Sequence, residues 1–434
     1  MVFTQDLKHG FAGTDLTCEA LEPHLDRLKA SRMAKLVDWY DNHTLPLLRL
    51  PETVTDLDEI EEVGQYFRKN FAHVLVVGTG GSSLGGQTLA ALTENAYDTP
   101  RKGAPKLHFL DNVDPHSMSQ LLDTLDMAEV GCLVISKSGG TAEIIAQMLV
   151  LLAAIEKAVG KDALAKHFVG ITEPTDNPLR RICQHYHFRV LDHDPKVGGR
   201  FSVLSLVGLI PAAAAGVDVR AVRQGAYEVM QTLLNAKDNP ADSAPAVGAA
   251  MHYALLEAGR DVAVVMPYCD RLGYFGMWFR QLWAESLGKD GKGSTPVRAM
   301  GTVDQHSQLQ LYLDGPKNNF LTLIHPDVEG QGPRIDGCLV TDDSLAYIRN
   351  QTIGDVMTAH EHGTARTLVN QGCPVRILRF GALDAKVMGA LLMHFMLETV
   401  LTADLMGIDA YDQPAVEESK ILARDYLSQH SKAA

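Results

Sequence analysis

The sequence predicts an α/β protein with two doubly wound, mostly parallel sheets, each covered by helices. Three observations lead there. Short apolar runs alternate with helix-length amphipathic segments, and they do so twice along the chain. Loops rich in glycine and serine follow two strands of the first run, where the backbone must turn into a helix. Of the 434 residues, 46% are hydrophobic and 21% charged, which suits a globular chain of two or three domains rather than a disordered tail or a fibre.

Taken in order, residues 15–45 carry helical periodicity through Leu21, Leu25, Leu28, Met33 and Leu36. They predict a helical N-terminal extension over 1–45. FAHVLVVG at 71–78 is a buried strand, followed by a Gly/Ser loop and a helix. KLHFLD at 106–111 is the next strand, and Asp114-Pro115 opens a helix through Leu125. GCLVIS at 131–136, an apolar helix over 141–159 and the strand HFVGIT at 167–172 complete the first run. The apolar stretch between Arg200 and Asp218 contains Pro211. It reads as a buried helix interrupted at Pro211, because a membrane span wants about 20 apolar residues. Four more strands, at 261–268, 296–301, 319–324 and 373–380, mark the second run. Helices are expected at 218–236, 243–258, 271–288, 304–313, 343–370 and 383–405, with a closing helix from Gln413 to Gln429. The expected domains are therefore 46–212 and 213–405, with 406–434 as a terminal helix.

Composition excludes several functions. A formal charge of −14 argues against a nucleic-acid role, which needs a basic patch. The six cysteines form no CxxC pair, so zinc ribbons and thioredoxin-type chemistry have no support. His185, His187, His193, His360 and His362 fall in no metal-ligand spacing, and neither a metal nor a cofactor is expected. The opening MVFTQDLKHG lacks the basic and apolar regions of a signal peptide, so the cytoplasm is the expected compartment.

Two loops carry candidate ligand chemistry. Gly78 to Gly86, with Gly81 and Ser82 at its centre, links a strand to a helix, where backbone N–H groups suit an anion. Ser83 stands where a dinucleotide fingerprint needs its third glycine, and Gly86 where a Walker A loop needs lysine. Nicotinamide and ATP binding are therefore disfavoured. Asp111, which a dinucleotide reader would want, is read as a turn residue. The second loop, Ser136-Lys137-Ser138-Gly139-Gly140-Thr141, brings three hydroxyls to a strand's carboxyl end. Taken alone, Ser138 or Thr141 is equally a helix N-cap. Two such loops on one sheet edge favour an anionic ligand, since that edge is where open α/β sheets bind. A sugar phosphate fits better than a nucleotide, because nothing nearby reads as a base pocket.

These residues resemble the glucose-6-phosphate isomerase family, built on sugar-isomerase (SIS) domains. GTGGSSLG (78–85) is similar to the family's GIGGSxLG, and SKSGGTAE (136–143) to SKTxTTxET. VGGRFSVLSLVGL (197–209) is similar to GGRxSxxSxxGL, and QLWAESLGK (281–289) to QxxMESxGK. GTVDQHSQLQLYLDGP (301–316) is similar to GTxxQHSxxQLxxxGP, and YDQPAVEESK (411–420) to FxQxGVExxK. Six blocks lie in the family order. Departures are Ser138 and Gly140 in place of threonines, Ala284 in place of methionine, and Pro414 and Ala415 in the last block.

The resemblance implies two SIS-type α-β-α sandwiches and an aldose–ketose isomerisation between glucose 6-phosphate and fructose 6-phosphate. That chemistry needs a base beside C2, a stabiliser for the developing oxyanion and a group that opens the ring. Glu285 is the candidate base, with Gln281 four residues earlier on the same helix face. The aromatics of GYFGMWFRQLWAESLGK are expected to flank the carboxylate and desolvate it. The choice of Glu285 over Glu257 or Glu398 rests on the resemblance. So does the assignment of Arg200, after Gly198-Gly199, to the enediolate, with Gly199 beside the substrate. The resemblance gives ring opening to His306 and Lys420, and phosphate binding to Ser82, Ser136, Ser138, Thr141 and Gln281, with Gln413 assisting. Gly81 and Lys137 complete the expected binding set, Lys137 in a supporting place. It also implies a homodimer in which His306 enters the neighbouring subunit's site. A broader isomerase accepting mannose 6-phosphate and a non-catalytic sugar-phosphate sensor are the alternatives.

Overall fold

In the computed structural model, residues 2–93 and 103–430 are described. Residue 1, residues 94–102 and residues 431–434 lie outside the described residues, and they fall within the expected extension, first domain and closing helix respectively.

The first sheet contains β2 (His73–Val77), β3 (Lys106–Leu110), β4 (Val130–Ile135), β5 (Phe168–Thr172) and β6 (Arg189–Asp192). Their order is β3-β2-β4-β5-β6, and every pairing is parallel. The near-continuous apolar runs follow from burial on both faces; β4 is buried at all of its residues. The order reverses between β2 and β4, so a topological switch point opens at their carboxyl ends. The glycine loop leaves β2 there, and the hydroxyl loop leaves β4.

The second sheet contains β1 (Thr4–His9), β7 (Val262–Pro267), β8 (Thr295–Arg298), β9 (Asn319–Pro326) and β10 (Val375–Phe380), in the order β1-β10-β9-β7-β8. All pairings are parallel except β1 with β10. This corrects the expectation of a purely helical extension over 1–45. Residues 4–9 are an edge strand of the second sheet, and helix begins only after Thr17. A short strand with half-exposed, charged side chains gives little periodic signal, and only its partner makes it a strand. β6 was equally silent for lack of an apolar run.

The helices follow their apolar faces. Leu57–Asn70 buries Leu57, Ile60, Val63, Gly64 and Phe67, and Gly64 lets it close on Leu206–Ala215, where a Cβ would lie 2.4 Å from that of Ala213. Leu206–Ala215 continues through Pro211, contrary to the expected interruption, with the proline ring packed against Gly86. The expected helix 343–370 is two pieces, because the Thr352–Asp355 capping box starts a new helix at Ile353. The expected helix 304–313 likewise splits into a 3-10 turn, Val303–His306, and a short helix, Leu309–Asp314.

Ala385–Met406 is long and apolar enough to cross a membrane, yet nearly all of it is buried in the protein core. It crosses Val219–Asn235 at glycines. A Cβ on Gly225 would meet the Lys386 carbonyl at 1.8 Å, and one on Gly389 the Val222 carbonyl at 1.8 Å. Inside this core Arg376 donates to both oxygens of Glu398, at 2.9 and 2.8 Å, and to the Thr322 hydroxyl at 3.1 Å. His394 Nε2 lies 2.9 Å from the same carboxylate. Burial would push Glu398 up, but Arg376 and His394 outweigh it and hold the carboxyl down at about 2.

Two buried histidines set an acid limit. Burial pulls His252 down to about 3 and His193 down to about 4, from an ordinary 6.5. Below pH 6.5 the unfolded chain takes protons that the fold refuses, so stability falls as pH drops toward 4. Glu398 adds a further loss below its ordinary value of 4.5. Thermal unfolding across that range should show a midpoint that declines steadily from neutrality; a flat profile down to pH 4 would contradict it.

Candidate functional site

The glycine loop is shaped by what crowds it. Gly80 takes φ +55°, and a Cβ there would lie 2.8 Å from the Gln281 amide nitrogen. A Cβ on Gly81 would lie 2.2 Å from the Gly199 carbonyl. The loop therefore touches both the segment bearing Arg200 and the helix bearing Gln281, and Ser82 sits half-buried in it. The buried Ser83 hydroxyl accepts from Gln87 Nε2 at 2.7 Å, and the same nitrogen donates to Asp111 at 2.8 Å. Asp111, which a dinucleotide reading would have used, is thus held through Gln87 to Ser83, the residue that stands where that reading needs a glycine.

In the hydroxyl loop, Ser136 is buried and its Oγ donates to Thr141 Oγ1 at 3.3 Å. Thr141 is the N-cap residue of Ala142–Val159 but makes no side-chain capping bond. Its hydroxyl turns into the loop instead. Ser138 is exposed and its Oγ accepts from Gly140 N at 3.4 Å. Gly139 takes φ +66° directly against Asn177. Lys137 turns elsewhere: its ammonium donates to the Pro195 carbonyl at 2.7 Å and lies 3.6 Å from Glu173. It ties this loop to the chain leading into Gly198-Gly199.

Arg200 is the centre of the arrangement, its side chain 3% exposed. Nε donates to Ser286 Oγ at 2.8 Å, and Nη2 to the Ala410 and Asp412 carbonyls at 2.5 and 2.9 Å. Nη1 donates to Gln413 Oε1 at 2.7 Å and reaches Glu285 Oε2 at 3.5 Å. Burial pulls the guanidinium's pKa down, while Glu285, Asp412 and Asp409 pull it back up. Glu285 is half-buried at the end of Gly273–Leu287, and Gln281 Nε2 donates to its Oε1 at 3.1 Å. Phe275, Trp278, Phe279 and Trp283 occupy the buried face of that helix, and Glu285 faces Arg200 and Gln281. Helical spacing turns Trp283 away from Glu285, whereas Trp278, seven residues earlier, lies where the two faces meet. The rival glutamates are engaged elsewhere, Glu398 with Arg376 and Glu257 beside His24 at 3.4 Å.

Arg200, Glu285, Gln281, Gln413, Gly199 and the glycine loop thus come together. Among the described residues, no hydrogen bond or ion pair links His306 or Lys420 to this group. His306 is exposed and follows β8, at the carboxyl edge of the second sheet. Gly273–Leu287 follows β7 and runs back about 22 Å, carrying Glu285 toward the opposite edge. Lys420 is paired with Glu417 at 2.6 Å, on the helix Glu417–His430, which buries no residue. That helix does not close over Arg200 within the single chain.

Sequence reasoning missed Ser286, Lys289 and Asp412. Ser286 is fully buried beside Glu285, and Lys289 pairs with Asp412 at 2.6 Å. All three lie in the motif blocks that drew attention to their neighbours. A buried serine next to the candidate base was the available signal. Among the described residues, no group of three histidine, cysteine, aspartate or glutamate side chains could hold a metal ion.

Comparison with known proteins bears on the family and the fold. The family model for phosphoglucose isomerase matches residues 52–434. A glucose-6-phosphate isomerase of Rubrobacter xylanophilus is 39% identical over 410 residues, covering 93% of each chain. A solved structure, a hypothetical protein of Thermus thermophilus, superposes with TM-score 0.85 at 32% identity, over 98% of this chain and 99% of that one. A glucose-6-phosphate isomerase from Chlamydia trachomatis shares the fold at TM-score 0.78 and 20% identity, over 99% of this chain and 89% of that one. With the family model matched over most of its length and a relative 39% identical across 93% of both chains, this chain belongs to the phosphoglucose isomerase family.

Proposed function

We propose that this chain interconverts glucose 6-phosphate and fructose 6-phosphate through an enediolate, with no metal in the chemistry. The observation that carries the reading is Glu285 held 3.5 Å from Arg200, beside loops suited to a phosphate. Ser82, Ser136, Ser138 and Thr141 bind the phosphate by hydroxyl and backbone N–H donation. Gln281, between the glycine loop and Glu285, joins those hydroxyls in holding the phosphate, with Gln413 assisting. In the open-chain aldose, the Glu285 carboxylate removes the C2 proton, and the C2–H electron pair forms the C1–C2 double bond. The carbonyl oxygen becomes an oxyanion that Arg200 stabilises. A proton then passes from the O2 hydroxyl to O1, the O2–H electron pair forms the C2 carbonyl, and the C1–C2 double-bond pair takes the proton back from Glu285 at C1 to give the ketose.

Ring opening belongs to His306 of a second copy and to Lys420, which the terminal helix carries in when it closes. The placement of His306 at the sheet edge remote from Glu285 supports a shared site in a homodimer.

Chelator-treated protein given fructose 6-phosphate, with a coupled dehydrogenase following glucose 6-phosphate, should turn over robustly. A folded protein with no turnover would overturn the reading. Mixing unfolded-and-refolded Glu285→Gln and His306→Ala proteins tests the shared site. Heterodimers should regain activity that neither parent has, and no recovery would remove His306 from the interface.

A further inference from the structure

We propose that Lys289 is a positioning residue for Arg200, acting through the segment Asp409–Asp412. This rests on the isomerase reading and deepens it. The Lys289 side chain is 11% exposed, and its ammonium donates to the Asp409 carbonyl and to the Asp412 carboxylate, the latter at 2.6 Å. The same short segment turns the Ala410 and Asp412 carbonyls onto Arg200, and Gln413 follows directly with its amide oxygen. One cation therefore holds the backbone that orients the other.

The placement of Lys289 gives the latch its purpose. It lies just past the end of Gly273–Leu287, the helix whose last turn carries Glu285 and Ser286. Base and guanidinium come from segments far apart in sequence, and their mutual geometry needs a tie. Ser286 supplies one on the near side of Arg200 and Lys289 one on the far side. Lys289 also keeps the Asp412 carboxylate turned to itself. Without that partner, the carboxylate, whose residue already gives its backbone carbonyl to Arg200, would compete with Glu285 for the guanidinium. The segment is also the root of the helix that bears Lys420.

The test is a cycle of Lys289→Met, Arg200→Ala and the double variant, with Lys289→Arg as the conservative control. Lys289→Met should lower kcat about tenfold to a hundredfold with KM nearly unchanged, because misplacement of a catalytic group by ~1 Å has that scale of cost. Lys289→Arg should recover most of the loss. In the Arg200→Ala background the same lysine change should cost less than about twofold, since its route of action is gone. Equal losses in both backgrounds, or an undiminished kcat in Lys289→Met, would overturn the proposal. Should Lys289→Met not fold, Asp412→Asn probes the same latch from a half-exposed carboxylate and must show the same dependence on Arg200. A silent wild-type enzyme would sink the isomerase reading itself; an active wild type with an indifferent Lys289 would sink only this inference.

Discussion

Glu285→Gln should lower kcat by about a thousandfold, the middle of the range for a positioned general base. The substitution keeps the side-chain shape and leaves one oxygen to accept from Gln281 or Arg200, but it removes the charge and the proton acceptor. Glu285 is half-buried and contributes nothing to the apolar core, so folding should be unaffected. Phosphate binding should also persist, because the loops after β2 and β4 are separate from the carboxylate. Steady-state turnover in parallel with calorimetric binding of a non-reacting sugar phosphate separates these effects. A variant that turns over like wild type would exclude Glu285 as the base; one that loses binding as well would show that it holds substrate instead.

Arg200→Ala should be as damaging to turnover, and it should cost stability as well. Loss of a preorganised oxyanion donor lowers kcat by about a hundredfold to a thousandfold. Removal of the guanidinium also strips partners from the Ala410 and Asp412 carbonyls and from the fully buried Ser286. Each buried polar group left unpaired costs about 1–3 kcal/mol, so the unfolding midpoint in denaturant should fall clearly. Arg200→Lys should rescue little of either property. A point-charge ammonium cannot span Ser286, Gln413 and two carbonyls in the plane that the guanidinium fork occupies. Activity retained by Arg200→Lys would show that charge alone suffices and that the fork geometry is incidental. The contrast with Glu285→Gln is informative: one variant loses chemistry alone, the other chemistry and stability together.

Much of this site was legible in the sequence, for a definite reason. Strand, glycine turn and helix are local patterns, and 78–85 and 136–143 each contain their own turn within a few residues. The motif blocks named Glu285, Arg200, Gln281 and Gln413, and the fold brings those four together. Composition alone did not say which aromatics of 273–287 share a face with the base. The helical period turns Trp283 away from Glu285 and leaves the buried Trp278 two turns back on the same side. Lys137 shows the same limit at one residue. Its position in the loop was clear, yet its reach to Pro195 depends on a segment that only the fold supplies.

By itself, the sequence determined the alternation of strands and helices, the two loops at one sheet edge and the identity of the chemical groups. Each of those depends on residues within a turn or two of one another. Only the tertiary structure decided that residues 4–9 complete the second sheet, where they pair with a strand at the far end of the chain. It alone decided that Arg200 meets Glu285 across 85 residues and Gln413 across 213. It also decided that His306 and Lys420 stand apart from that pair in a single chain. Side-chain hydrogen bonds between distant segments leave no period in the sequence, because their formation depends on how whole layers pack and not on the local backbone.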